Sequence, residues 1–218
     1  MKSLFNFTLL IAMLSFVACK EKAPKSDENL AVAAEATGKT YAASPEMSKI
    51  SWEGSKPTGK HNGSIKVSEG SLSVNEGKLV AGSFVIDMKS IVVEDLTGDE
   101  KASLEAHLMG TQEQGAADFF NTSKFPTAKF DITKVEPSTD AAANSLVTGN
   151  LTMLDITKEV KIPANITVSE AGVNVVSAPF TINRTDWGIN FKSQNFFKDL
   201  GDKFIDDNIT LSVQLDAK

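Results

Sequence analysis

Few side chains in this sequence could carry covalent or metal chemistry. In 218 residues there is one cysteine, Cys19, and there are two histidines, His61 and His107. A single Cys excludes an internal disulfide and a thiolate metal cluster, and two His leave little for a His-based zinc site. The acidic pairs Asp99-Glu100 and Asp206-Asp207 lack the spacing of a calcium hand and read as solvated loop charge. There is no Ser/His/Asp set, no phosphate loop and no carboxylate pair with a plausible base. Arg184 stands apart, because it falls on the same strand face as Phe180 and Ile182. An arginine among inward apolar residues must be paired. Two readings stay open: a bridge to Asp186 or Asp118, or a bidentate grip on a bound anionic group. His107 reads as a satisfied buried or helix-end residue, and His61 as part of a solvated turn, Lys60-His61-Asn62-Gly63.

The position of Cys19 is informative. Lys2 precedes a run from Leu4 to Val17 that is apolar apart from Asn6, Thr8 and Ser15, the layout of a secretory signal peptide. Phe16-Val17-Ala18-Cys19 follows and resembles a bacterial lipobox, with Phe16 where Leu is preferred. That resemblance implies removal of residues 1–18 and lipid attachment at Cys19. The rival reading is a plain signal peptide with an incidental Cys. Acyl chains anchor a protein because each buried CH₂ contributes roughly 0.8 kcal/mol. By analogy with lipoprotein sorting, Lys20 in place of Asp points to the outer membrane. Residues 19–40, charged and then Ala-rich, read as a flexible tether able to reach at most ~70 Å.

The elements that must position these groups are strands. The run 83–89, ending at Lys89, places Phe84, Ile86 and Met88 on one face; Phe130 and Ile132 alternate with charged or polar neighbours; and Ile209, Leu211, Val213 and Leu215 share one face. Similar runs cover 48–53, 63–67, 71–74, 146–154, 159–168, 173–176 and 178–184. This is the period-two pattern of antiparallel sheet with one solvated face. Turns are expected at Glu69-Gly70, Asn75-Glu76-Gly77, 137–144 and Glu170-Ala171-Gly172. Residues 99–108 have helical spacing, and 116–120 suit a second short helix. Many strands with one helical insertion predict an all-β domain, a closed or nearly closed antiparallel barrel over 41–218. One Tyr and two Trp cannot supply the two aromatic girdles of a transmembrane barrel, so the apolar faces should point inward. A net charge of −6 argues against nucleic acid as a partner.

Several stretches, in order, resemble the YceI-like family of periplasmic and lipid-anchored bacterial proteins. They are Tyr41 with Ser48-Lys49-Ile50-Ser51-Trp52; His107-Leu108; Asp118-Phe119-Phe120-Asn121; and Phe125-Pro126 through Phe130. Val147-Thr148-Gly149-Asn150-Leu151-Thr152, Thr157-Lys158-Glu159-Val160 and Ile182 through Ile189 complete the set, over about 41–216. Residues 109–117 make a longer loop than the compact family form, and Phe125 replaces the common Tyr. The resemblance implies an eight-stranded antiparallel lipocalin-like β-barrel whose elongated cavity holds a polyisoprenoid or similar amphiphile, such as a polyprenyl phosphate or isoprenoid quinone.

Such a ligand needs an apolar wall and no cofactor. Phe84, Ile86, Met88, Phe130, Ile132, Leu151, Met153, Phe180 and Ile182 are the wall candidates, each also suited to plain core packing. Arg184 is the candidate head-group contact. The expectation is a non-enzymatic, lipid-anchored envelope protein, at the periplasmic face or outer membrane. Its partners would be an isoprenoid lipid and, through Cys19, the membrane. Oligomeric state stays open, a homodimer included. The rivals are an envelope interaction module with a vestigial cavity, and an enzyme on a lipid head group using Arg184, Asp186 or His107.

Overall fold

Alternation puts one face of each strand inward, and the hydrogen-bond ladder then closes on itself. The computed structural model describes residues 26–27, 29–139 and 141–218. The expected acylation at Cys19 and the signal peptide lie outside the described residues. In chain order the elements are β1 (Lys39–Ala42), β2 (Lys49–Lys56), β3 (Gly59–Asn75), β4 (Lys78–Asp87), β5 (Val92–Val93) and helix α1 (Gly98–Met109). There follow β6 (Thr127–Pro137), β7 (Ser145–Met153), β8 (Ile156–Ser169), β9 (Gly172–Ser177), β10 (Phe180–Asn183) and β11 (Asn208–Ala217).

Eight strands form an antiparallel ring: β3, β2, β11, β9, β8, β7, β6, β4 and back to β3. The expected eight-stranded barrel with one short helix is the observed fold. The 17-residue β3 spans it, flanked on one side by β2 and then β1, on the other by β4 and then β5. β10 continues the line of β9 along β11. Pro179, without an N–H, lies at the break between them.

The Glu69-Gly70 turn does not form. β3 runs through it, with a register shift between Val67 and Glu69. Gly70 belongs there because the Phe84 ring lies on its backbone: a Cβ would meet Phe84 Cδ1 at 2.5 Å. The strand expected to end at Lys89 instead stops at Asp87, whose carboxylate caps a 3-10 turn, Met88–Ser90. Residues 116–120 form turns rather than a helix. Helix α1 ends at Gly110, whose φ of 68° suits glycine and lets its N–H reach Ala106 and His107 carbonyls. The helix is tied to β5, where Glu105 accepts the Val93 N–H at 2.8 Å and pairs with Lys101 at 2.8 Å.

The N-terminal segment departs most from expectation. Ser26, Asp27 and residues 29–37 lie along the outer wall as a strap. Asp27 pairs with Lys158 (2.7 Å), Ala31 accepts from Asn150 (2.7 Å), and Ala34 donates to the Ile132 carbonyl (2.8 Å). The last contact falls at the bulge between Ile132 and Lys134. Side chains of β7 and β8 together with backbone groups of β6 and β8 therefore hold a segment with no core residues of its own. The sheet starts with β1 at Lys39, and the ring itself with β2 at Lys49.

Candidate functional site

The inward faces do not fully meet. They enclose a cavity of about 340 Å³. It opens at the end where the β2–β3 turn, α1 with the following connection, and the β10–β11 connection gather. The wall candidates all line it: Phe84 and Ile86 on β4 with Met88 just beyond, Phe130 and Ile132 on β6, Leu151 and Met153 on β7, Phe180 and Ile182 on β10. All but Phe180 are buried to 9% exposure or less, so they pack mainly against one another.

The opposite wall was missed. Ile50 and Trp52 on β2, with Ile209, Leu211 and Val213 on β11, also line the cavity, yet they are only half-buried. Their open area faces the space that a ligand would fill. The alternation at 209–215 was the available signal, but periodicity cannot tell which inward side chains lack a neighbour across the barrel. The Trp52 indole N–H is buried without a protein acceptor.

Arg184 is placed by the 3-10 turn Arg184–Trp187 that ends β10. It is 1% exposed. Its Nε donates to the Asp206 carbonyl (3.0 Å), Nη1 to the Ile189 carbonyl (2.7 Å), and Nη2 to the Ile205 carbonyl (2.9 Å) and Asp207 Oδ1 (3.2 Å). Burial pulls its pKa below the ordinary arginine value, while the charges of Asp207 and Asp206 oppose that shift. The ion-pair reading therefore holds with a different partner. Asp186 is exposed and absent from the cavity wall, and Asp118 is bonded to His107. With four of its five N–H donors given to the 189–207 connection, Arg184 is held by that connection first, and a head group would have to share it. Asp206 and Asp207 are likewise not solvated loop charge. Asp207 also accepts from Ser193 (2.9 Å) and Asn195 (2.7 Å), and Asp206 from Ser55 (2.5 Å).

The mouth holds the remaining polar groups. His61 is a strand residue on β3 rather than a turn residue, with Nδ1 2.8 Å from Asp95 Oδ2. The partial burial of Asp95 works to raise its pKa. Hydrogen bonds from the Asn62 N–H and His61 outweigh this and hold the carboxyl below its usual range. His107 Nε2 is 2.9 Å from Asp118 Oδ2, and its ring meets Phe119 and Phe191 edge-on at 5.1 Å each. Lys56 and Lys192 also line the opening. Among the described residues neither forms an ion pair, and no hydroxyl bonds to His107. No set of three metal-ligating side chains is found there either.

The interior can take an apolar tail, and the rim offers donors and positive charge to a polar head. The volume lies at the low end of the roughly 300–1,000 Å³ of small-molecule sites. Fold and site thus define a small closed β-barrel with a one-ended apolar cavity. The chain belongs to the YceI-like domain family, whose model matches residues 41–217. In fold it is similar to the Burkholderia cenocepacia protein BcnA, with TM-score 0.61 and 20% identity over 81% of this chain and 99% of that one. It is also similar to a polyisoprenoid binding domain from Saccharophagus degradans implicated in plant cell wall breakdown. There the TM-score is 0.53 and the identity 14%, over 82% and 97% of the two chains. Among curated sequences, a UPF0312 protein of Pseudomonas putida is 29% identical over 136 residues, 59% of this chain. The match spans 63% of that relative's length.

Proposed function

We propose that this protein is a non-enzymatic, lipid-anchored component of a bacterial envelope that sequesters or carries a polyisoprenoid-type amphiphile. The observation that carries this reading is the apolar cavity whose charged and ionisable side chains all lie at its open end. A tail entering it gains roughly 25 cal/mol per Å² of apolar surface removed from water, with no catalytic group required. The head group, a phosphate or a quinone ring, then lies among Lys56, His61 and Lys192. The polyisoprenoid binding named for the Saccharophagus degradans relative supports the ligand class. The signal-like run and Cys19 support acylation and an address at the periplasmic face or outer membrane.

Native mass spectrometry on a chain beginning at Ser26, with solvent extraction, tests the ligand. The expected result is a bound isoprenoid, or uptake of added polyprenyl phosphate or isoprenoid quinone. A barrel that stays empty with both defeats the proposal. The acyl mass on Cys19, read from the full secreted chain, tests the anchor separately.

A further inference from the structure

Two features meet at the open end of the barrel, and together they bear on how that end lies against a membrane. The first is the direction of the strap. Ser26 and Asp27 are bonded beside the β7–β8 turn, at the mouth: the Thr157 N–H donates to Ser26 Oγ at 3.0 Å and the Asp27 N–H to the Thr157 carbonyl at 3.2 Å. From there the strap descends to the closed end, where Asn75 donates to Thr37 Oγ1 at 3.5 Å. Going toward the N-terminus, the chain therefore leaves the barrel at its mouth. Cys19 precedes Ser26 by seven residues, at most ~25 Å of extended chain. A tether free as far as residue 40 would let either end of the barrel face the bilayer. The strap removes that freedom.

The second feature is the tip of the 190–207 connection. Phe196 and Phe197 are adjacent and 57% and 46% exposed. Their N–H groups both donate to the Ser193 carbonyl, and the buried Ser193 is held by Asp207. The backbone that carries the two exposed rings is thus held, on the same connection that lines the mouth with Phe191 and Lys192. Adjacent exposed aromatic rings on a held tip suit an interface with water on one side and apolar matter on the other. Lys198 and Lys203 flank them but are offset by Asp199 and Asp202. The rings rather than charge carry the contact.

We propose that the strap and the Phe196-Phe197 tip set the mouth of the barrel against a lipid headgroup surface, so that an amphiphile passes between bilayer and cavity without crossing open water. This rests on the reading of Cys19 as the acylated residue and of the cavity as the ligand site.

The test uses the acylated full chain on phosphatidylethanolamine and phosphatidylglycerol vesicles that carry a headgroup quencher. With Cys19 acylated, a fluorophore can be placed by Thr58→Cys in the β2–β3 turn at the mouth, or by Glu170→Cys in the β8–β9 turn at the closed end. Both positions are exposed. Quenching is expected to be several-fold stronger at position 58. Joint Phe196→Ser and Phe197→Ser substitution narrows that difference while the protein still floats with the vesicles and unfolds at the same temperature. Joint Ser26→Ala and Asp27→Ala substitution, which loosens the strap, narrows it as well. Equal quenching at both positions in a floating, acylated protein overturns this proposal alone. Absence of an acyl mass on Cys19 overturns the anchor and the orientation together. An empty cavity with the orientation intact defeats the ligand reading alone.

Discussion

Two positively charged side chains line the same cavity with opposite commitments. Arg184 is buried, and its donors go to three carbonyls and Asp207. Lys192 reaches the mouth, rests over the Phe191 ring at 5.2 Å and, among the described residues, forms no ion pair. Lining a cavity is therefore not the same as being available to a ligand. A buried charge is tolerated only when its hydrogen bonds are made within the fold, which removes it from recognition. A charge at the rim keeps its donors free at little cost to stability.

Breaking the buried side of this comparison should give the largest effect. Arg184→Met leaves Asp207 and three carbonyls short of a donor and should cost about 3–5 kcal/mol in urea unfolding. Head-group selectivity of whatever folds should not change. A stable variant that loses only head-group affinity would reverse the assignment. Next, Gly149→Ala tests how tightly the wall is packed, since a Cβ there would meet Phe130 Cζ at 2.3 Å. Overpacking of this kind should cost about 1–3 kcal/mol, read as a lower thermal midpoint.

The free side should respond differently. Lys56→Gln with Lys192→Gln should leave stability within about 0.5 kcal/mol. It should weaken a polyprenyl phosphate several-fold in titration calorimetry while an isoprenoid quinone binds as before. The smallest effect belongs to the strap. Its hydrogen bond with Lys158 holds the Asp27 carboxyl below its usual range, against its slight burial. Stability from a depressed carboxyl is fully present above the unfolded value of roughly 3.9 and is lost as pH falls through the lower folded value. Asp27 is 46% exposed and screened by water, so the contribution is under ~1 kcal/mol. The Glu159 amide resonance, whose N–H faces Asp27, should report the titration in that acid window.

The fold was largely legible because each ring strand carries its own alternation. Phe84-Val85-Ile86 and Phe130-Asp131-Ile132 mark an inward face without knowledge of their neighbours. Gly70 misled because a glycine in a strand and a glycine in a turn look alike until the Phe84 ring above it is known. The site was half legible. Residues on β4, β6, β7 and β10 were found, and those on β2 and β11 that border the open space were not. Which inward residue lacks a neighbour depends on how the barrel closes, a property of all eight strands together. The Arg184–Asp207 pair was hidden for a related reason: 23 positions separate the two residues, and only the folded-back 190–207 connection brings them together. The strap was unreadable because its partners, such as Asn150, Thr157 and Lys158, lie more than a hundred positions away in sequence, and the segment carries no strand or helix period of its own.

The cavity and its occupant can be tested directly by native mass spectrometry of the protein with and without Val213→Trp, which would fill space beside the half-buried β11 wall. A lipid adduct on the unsubstituted protein, identified as an isoprenoid on extraction and absent from the filled variant, is the expected result. An unsubstituted barrel that carries and takes up no isoprenoid, or a filled variant that binds one equally well, would contradict it.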